Sequence, residues 1–236
     1  MNQITTLCLI KYKGFSNKFW ALSMMQFAHK YLKQIDGLTF YKLLGSGQDG
    51  FKPQPDWSVY GLLQVWENEE KAQAFIESSK LIKKYKKRSD RFSILYMKSI
   101  KAHGLWSGTE PFLKSSSLSA NPKAVAIITR ASIKTPELFR FWKYVPKTQH
   151  AIQHAKGLMY TKGMGEFPIW EMATISVWDS MENAIAYAYS TDAHAKAIKM
   201  TRQYNWYKEE LFSRFEVYKT EGNWTEFKRL EVEVRG

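Results

Sequence analysis

The chain has 236 residues, of which 44% are hydrophobic and 15% aromatic, ample for a packed core and against a disordered chain. Its one cysteine, Cys8, excludes an intramolecular disulfide and any multi-cysteine zinc or iron–sulfur site, and fits a reducing compartment. A formal net charge of +13 points to anionic partners: nucleic acid, acidic lipid headgroups or the carboxylates of a cofactor.

In chain order, Thr5 to Gly14 reads as a strand whose apolar run buries Cys8 as an inert thiol. Ser16 to Ile35 has helical spacing, with Phe19, Trp20, Leu22, Phe27, Tyr31 and Leu32 as its apolar residues. Gly37 to Gly47 is a strand ending in glycines, Gln48 to Asp56 a loop, and Trp57 to Trp66 a third strand. Glu69 to Lys87 is expected to be one helix with Ala72, Phe75, Ile76, Ile82 and Tyr85 turned inward, and Phe92 to Ile100 a fourth strand. Neither Gly45-Ser-Gly47 nor Gly163-Met-Gly165 opens a helix or carries the Lys-Ser/Thr of a phosphate loop, so both are expected to be turns.

Between Lys80 and Arg91 lie seven basic residues against the single acid Asp90. Most such runs are solvated helix faces. With no zinc finger or RNP-like motif beside it, nucleic acid is not the expected partner, and peripheral contact with an anionic membrane ranks above it. No run of about 18 apolar residues and no signal-peptide pattern is present, so the expected location is the cytoplasm, at most peripheral to the inner face of the membrane.

Gly108 to Pro122, with Ser115-Ser116-Ser117, reads as a linker, after which the same order of elements returns. Strand Ala124 to Lys134, a helix from Thr135, strands from Gly157 and from Ile169 to Trp178, a helix after Ser180 and strand Phe212 to Tyr218 repeat the first half. Landmarks repeat too: Phe19-Trp20 answers to Phe141-Trp142, Gly37-Leu38 to Gly157-Leu158, and Trp66 to Trp178. The expected class is α+β: two tandem ferredoxin-like β-α-β-β-α-β units, 1–107 and 123–236 about a linker at 108–122, closing into an eight-stranded barrel. The Trp-rich strands Trp57 to Trp66 and Trp170 to Trp178 are suited to filling that barrel, and a cavity between sheet and helix could take a flat ligand.

The stretch after Trp178 carries the leading candidate. Ser180 is a good N-cap and Glu182 falls in the first turn, where the helix dipole favours an anion. Further on, His194, Ala197, Ile198 and Thr201 fall near one helical face, and Ala193, Ala195 and Ala197 leave room beside the imidazole. The same histidine also reads as a helix-terminal or core residue with a satisfied hydrogen bond. His150 and His154, four apart, could share a helical face and a metal, but no third ligand is evident nearby. Pro146 is expected to break or kink their helix, leaving Lys147 to Lys156 as a separate piece. His29 and His103 read as structural.

Several stretches carry a resemblance: Phe19-Trp-Ala-Leu22, Phe40-Tyr-Lys-Leu-Leu-Gly-Ser-Gly-Gln-Asp-Gly-Phe-Lys-Pro-Gln-Pro-Asp-Trp57, Trp106-Ser-Gly-Thr-Glu-Pro-Phe112, Ile127-Ile-Thr-Arg-Ala131 and Asn205-Trp-Tyr-Lys-Glu-Glu-Leu-Phe-Ser-Arg-Phe215. In this order, over nearly the whole chain, they resemble the spheroidene monooxygenase (acyclic carotenoid 2-ketolase) family of the dimeric α+β barrel superfamily. The resemblance implies an enzyme that uses haem b, O₂ and an electron donor to oxidise a long apolar polyene. It implies a proximal histidine on the last helix of a unit, a place that His194 matches, with His150 the second choice. Cys8, on the first strand, is a poor candidate for a thiolate ligand. Arg202 and Arg214 are then candidates to pair with the haem propionates, beside Ala197 and Ile198, although both arginines could instead pair with Glu209, Glu210 or Glu216. A haem dehydratase or peroxidase, or a non-catalytic haem or tetrapyrrole carrier on the same barrel, are the alternatives.

Overall fold

The structure, a computed structural model, describes residues 2–49, 52–167, 169–190, 206–228 and 230, with the side chains of 144–151, 189 and 190 outside that description. His194, Ala197, Ile198 and Arg202 therefore lie outside the described residues, as does the side chain of His150.

The first half runs β1 (Ile4–Lys11), α1 (Phe15–Phe27, continued by a 3₁₀ turn Ala28–Tyr31), β2 (Leu38–Ser46), β3 (Val59–Trp66), α2 (Glu69–Ser78), α3 (Lys80–Arg88) and β4 (Arg91–Gly104). The second runs β5 (Val125–Ile133), α4 (Leu138–Gln153), β6 (Leu158–Phe167), β7 (Glu171–Trp178), α5 (Met181–Ser190) and β8 (Tyr207–Gly222). The strands close into one barrel in the order β1-β3-β2-β6-β7-β5-β8-β4, and every neighbouring pair is antiparallel. Each half contributes four consecutive staves, and two seams join the halves, β2 to β6 and β4 to β8. No helix among the described residues is long and apolar enough to cross a membrane.

The two glycine pairs expected as turns are the β2–β6 seam itself. Gly45 sits opposite Gly165 and Ser46 opposite Met164, and the Gly47 N–H donates to the Gly163 carbonyl at 3.0 Å. Gly165 also needs to be glycine for its other neighbour, β7: a Cβ there would stand 2.3 Å from the Glu171 carbonyl oxygen.

The barrel interior is aliphatic, with Leu7, Leu9, Leu63, Val65, Leu95, Ala126, Ile128, Ile175, Val177 and Phe215 buried together. Strand alternation puts Val65 and Val177 inside and their neighbours Trp66 and Trp178 outside. The tryptophans thus do not fill the barrel. Trp66 packs on Phe75 of α2, ring centroids 5.2 Å apart, and Trp178 on Tyr187 of α5 at 5.3 Å. Instead, the interior aromatics come largely from outside the strands: Trp106 and Phe112 from the connection between the halves, Trp224 and Phe227 from beyond β8. Phe112 meets Phe215 edge to face at 4.9 Å, and the Ser115 N–H donates to the Ser99 carbonyl, so the Gly108–Pro122 stretch is a packed part of the core as well as a connection.

Two helix boundaries differ from the sequence expectation. The single helix from Glu69 is two, because Ser79 takes extended backbone angles and its hydroxyl accepts the Leu81 and Ile82 N–H groups as the N-cap of α3. Conversely, α4 runs unbroken through Pro146. Proline there removes one i to i−4 bond, and the ladder on either side holds the helix together. The expected inward residues Ala72, Phe75, Ile76, Ile82 and Tyr85 are all buried against the outer face of the first-half sheet. Cys8 lies in that layer without solvent exposure, and burial pushes its thiol up to about 12, as an inert structural residue requires.

Candidate functional site

The outer faces of the two half-sheets differ. In the first half, Cys8, Ile10, Leu62, Trp66 and Ile94 are sealed under α1, α2 and α3. In the second, Trp178 is covered by Tyr187 of α5, while the outward positions nearer the middle of the sheet are largely small or polar, with Ile127 and Phe212 among them. Pairing registers set them in two rows across the strands. One row is His103, Phe212, Thr129, Thr174 and Gly163; the next is Lys101, Arg214, Ile127, Ser176 and Thr161. Lys101, His103 and Thr129 are exposed, in contrast to the buried first-half layer. Among the described residues this face forms a floor that α4 and α5 cover in part, with Gly163 and Ser176 buried and Thr129 exposed.

The walls come from α4 and α5. Phe141 of α4 packs on Trp206 and Tyr207 at centroid distances of 6.0 and 6.2 Å, and the Trp142 indole donates to the Ile169 carbonyl. α5 starts where its sequence predicts: the Ser180 hydroxyl accepts the Asn183 N–H at 3.2 Å, with Glu182 in the first turn. His154 caps the end of α4. Among the described residues no group of three His, Cys, Asp or Glu could hold a metal.

Arg214 stands in the second row, its guanidinium 5.7 Å from the Phe212 ring. Its Nε is buried and has no hydrogen-bond partner among the described residues. Of the three neighbouring carboxylates, Glu209 pairs with Arg130 and Glu216 accepts the Ser119 N–H, while Glu210 is exposed. A buried, unsatisfied cationic donor beside an open, flat floor fits a flat ligand bearing carboxylates, such as haem. Arg214 and the floor meet that description; the proposed iron ligands His194 and His150 fall outside the described side chains.

His103 is the floor residue that sequence reading set aside. The strand was expected to end at Ile100, but pairing with β8 carries β4 on to Gly104, and the imidazole lies 5.4 Å from the Phe212 ring. His29, by contrast, is structural as expected, its Nδ1 3.0 Å from the Tyr41 hydroxyl.

A second polar cluster closes one mouth of the barrel, and the stretches that carry the family resemblance converge there. Lys42 bridges Glu166, at 2.5 Å, and the Ser107 hydroxyl, at 2.7 Å. The Trp106 indole donates to the other Glu166 oxygen at 2.7 Å. Glu209 accepts the Ser107 and Gly108 N–H groups at 2.8 and 2.7 Å and pairs with Arg130, whose side chain is 2% exposed and also meets Glu171 at 3.5 Å. Burial alone would raise the Glu209 carboxyl, but the Gly108 and Ser107 N–H groups and Arg130 offset it and hold the group below the usual carboxylate range. With both carboxylates committed to several donors, the cluster acts as a clasp that fastens the connection over the packed barrel. An open cleft of about 650 Å³ beside Leu32 and Phe40 includes none of the floor residues, and one of about 480 Å³ beside Asp56 and Trp224 meets the floor at Thr161.

The fold is shared with two solved aldoxime dehydratases. One, crystallised with butyraldoxime, superposes with a TM-score of 0.62 at 11% identity, over 93% of this chain and 82% of that one. The other gives 0.59 at 10% identity, over 92% and 82%. At such identities the likeness is one of architecture. No protein-family model matches the sequence. The spheroidene monooxygenase of Rhodobacter capsulatus is 31% identical over 223 residues, 94% of this chain and 92% of that protein. Those of Cereibacter sphaeroides and Rubrivivax gelatinosus are 31% and 35% identical over 94% and 80% of this chain and 69% and 72% of their own lengths. Matches of that identity span both halves, the clasp and the floor, and on them the chain belongs to the spheroidene monooxygenase family.

Proposed function

We propose that this protein is a haem-dependent monooxygenase that oxidises a long apolar, carotenoid-like polyene with O₂ and an electron donor, using a haem b held on the outer face of the second half-sheet. The observation that carries the haem assignment is the buried, unpartnered Nε of Arg214 in an otherwise open floor; the family's name supplies the reaction class. Haem, when bound, would supply the oxidising chemistry. The chain's own residues do the rest. Arg214 neutralises and orients a propionate, with Arg202 as the second partner. Phe212 and Thr129, opposite each other in the sheet, would form part of the surface that receives the group. His194, with His150 as second choice, is the proposed proximal ligand, flanked by Ala197 and Ile198. We further read residues 1–107 and 123–236 as copies of one unit, of which the second holds the site and the first has filled the equivalent face with Cys8, Ile10, Leu62 and Ile94 under Phe75 and Tyr85.

A pyridine haemochrome assay on the purified protein supplied with haem is the test. One equivalent of haem b, with a Soret band shifted by CO and weakened in Arg214→Ala, supports the reading; a colourless protein after reconstitution rejects it. The likeness to the aldoxime dehydratases favours a second reading, a haem dehydratase on the same barrel. That reading gains if haem binds but only an aldoxime is turned over.

A further inference from the structure

Three exposed apolar side chains lie together on α1. Phe15 is 85% exposed, Phe19 64% and Leu22 40%, at i, i+4 and i+7, opposite the side on which Ala21, Met24 and Ala28 are buried. Phe15 and Phe19 stack on each other at 6.3 Å. Single exposed apolar residues are ordinary, but a continuous aromatic stripe along one helix marks a surface that meets something.

The neighbouring helix says what. Arg88 of α3 lies 4.9 Å from the Trp20 ring and reaches Asn17, and the Lys84 ammonium bonds the Tyr31 hydroxyl at 2.6 Å. The two helices thus lie side by side, with the buried Leu81, Ile82 and Tyr85 fixing which face of α3 turns outward. That outward face carries Lys83, Lys84, Lys86, Lys87 and Arg88, all exposed. Neither residues 2–35 nor residues 80–89 contain an acid, while Lys18 on α1 and Lys30 and Lys33 just beyond it add positive charge; Lys13 is paired with Asp90.

We propose that the outer face of α1 and α3 is a docking surface for an anionic lipid bilayer, in which Phe15, Phe19 and Leu22 enter the headgroup layer and the α3 lysines pair with acidic headgroups. Aromatic residues flanked by lysines on a surface helix are the composition that an anionic interface selects. A second copy of the chain would bring this cationic face against itself, which like-charge repulsion opposes. The surface stands independently of the reaction proposed above, since it lies on the other half of the barrel from the floor.

Co-sedimentation with vesicles tests it on the whole protein, without any turnover. The parent should bind mixed phosphatidylcholine and phosphatidylglycerol vesicles, bind pure phosphatidylcholine vesicles far less, and be released as salt rises. Phe15→Ser/Phe19→Ser and, separately, Lys83→Glu/Lys87→Glu should each weaken binding by about tenfold or more with unchanged thermal melting. No binding by the parent at low salt, equal binding to both vesicle types, or two well-folded variants that bind as the parent does would each overturn the proposal. Self-association of the parent that is lost in the Phe15/Phe19 variant, without vesicle binding, would assign the face to a second copy instead.

Discussion

Arg130 on β5 and Glu209 on β8 pair at the barrel mouth, 79 residues apart in sequence, and the same carboxylate takes both the Ser107 and Gly108 N–H groups. One side chain on β8 thereby holds the start of the connection between the halves to β5, the strand at its far end. Glu209→Gln removes the charge that Arg130 is buried against and one of the acceptor oxygens. We expect a loss of about 3 kcal/mol in urea unfolding, the usual scale for stripping one partner from a buried ion pair.

The same group gives a pH dependence with a definite sign. Because the folded protein holds the Glu209 carboxyl below its ordinary value of 4.5, its contribution is fully present above that value and is lost as pH falls through it toward the lower folded value. Unfolding midpoints measured downward from neutral pH should fall more steeply for the parent than for Glu209→Gln across that acid range. Parallel curves would contradict the clasp.

Phe112 sits in the barrel 5% exposed, between Phe40 and Phe215, although it belongs to a stretch whose serines and prolines read as a linker. Phe112→Ala should cost about 3 to 5 kcal/mol, as for other buried aromatic truncations. A cost under about 0.5 kcal/mol, the scale of a surface change, would mean that the connection is dispensable to the core.

Thr129 lies in the middle of the proposed floor and is exposed, so nothing in the fold depends on its small size. Thr129→Trp should leave unfolding within about 0.5 kcal/mol of the parent while filling the space a planar ligand needs. Haem titration of this variant should show at least tenfold weaker uptake; uptake equal to the parent would move the ligand away from this face.

Element order was legible because period-2 and period-3.6 patterns alternate cleanly and the landmark pairs recur, and the Ser180 cap was readable from its own local chemistry. Where reading failed, the deciding interaction was distant. Gly45 and Gly165 look like turn glycines until a partner strand 120 residues away is known. Trp66 and Trp178 end their strands, and a shift of one position decides whether they face barrel or helix. Ser79 interrupts an unbroken helical pattern only because its hydroxyl caps α3. His103 entered the floor through pairing with β8, and the Arg130–Glu209 clasp joins residues whose sequence neighbours say nothing of each other. For the site, Arg214 was named from its charge near the proposed histidine; its unpartnered Nε needed the fold.

Haem held by a histidine of the second half and by Arg214 should be lost or weakened when either residue is removed. Titrating haem into the apoprotein while following the Soret band, in parent, His194→Ala and Arg214→Ala, tests it most directly. The account predicts saturation at one equivalent in the parent, a changed Soret position or loss of the band in His194→Ala, and at least tenfold weaker affinity in Arg214→Ala. Three indistinguishable titrations, or a parent that takes up no haem, would contradict it.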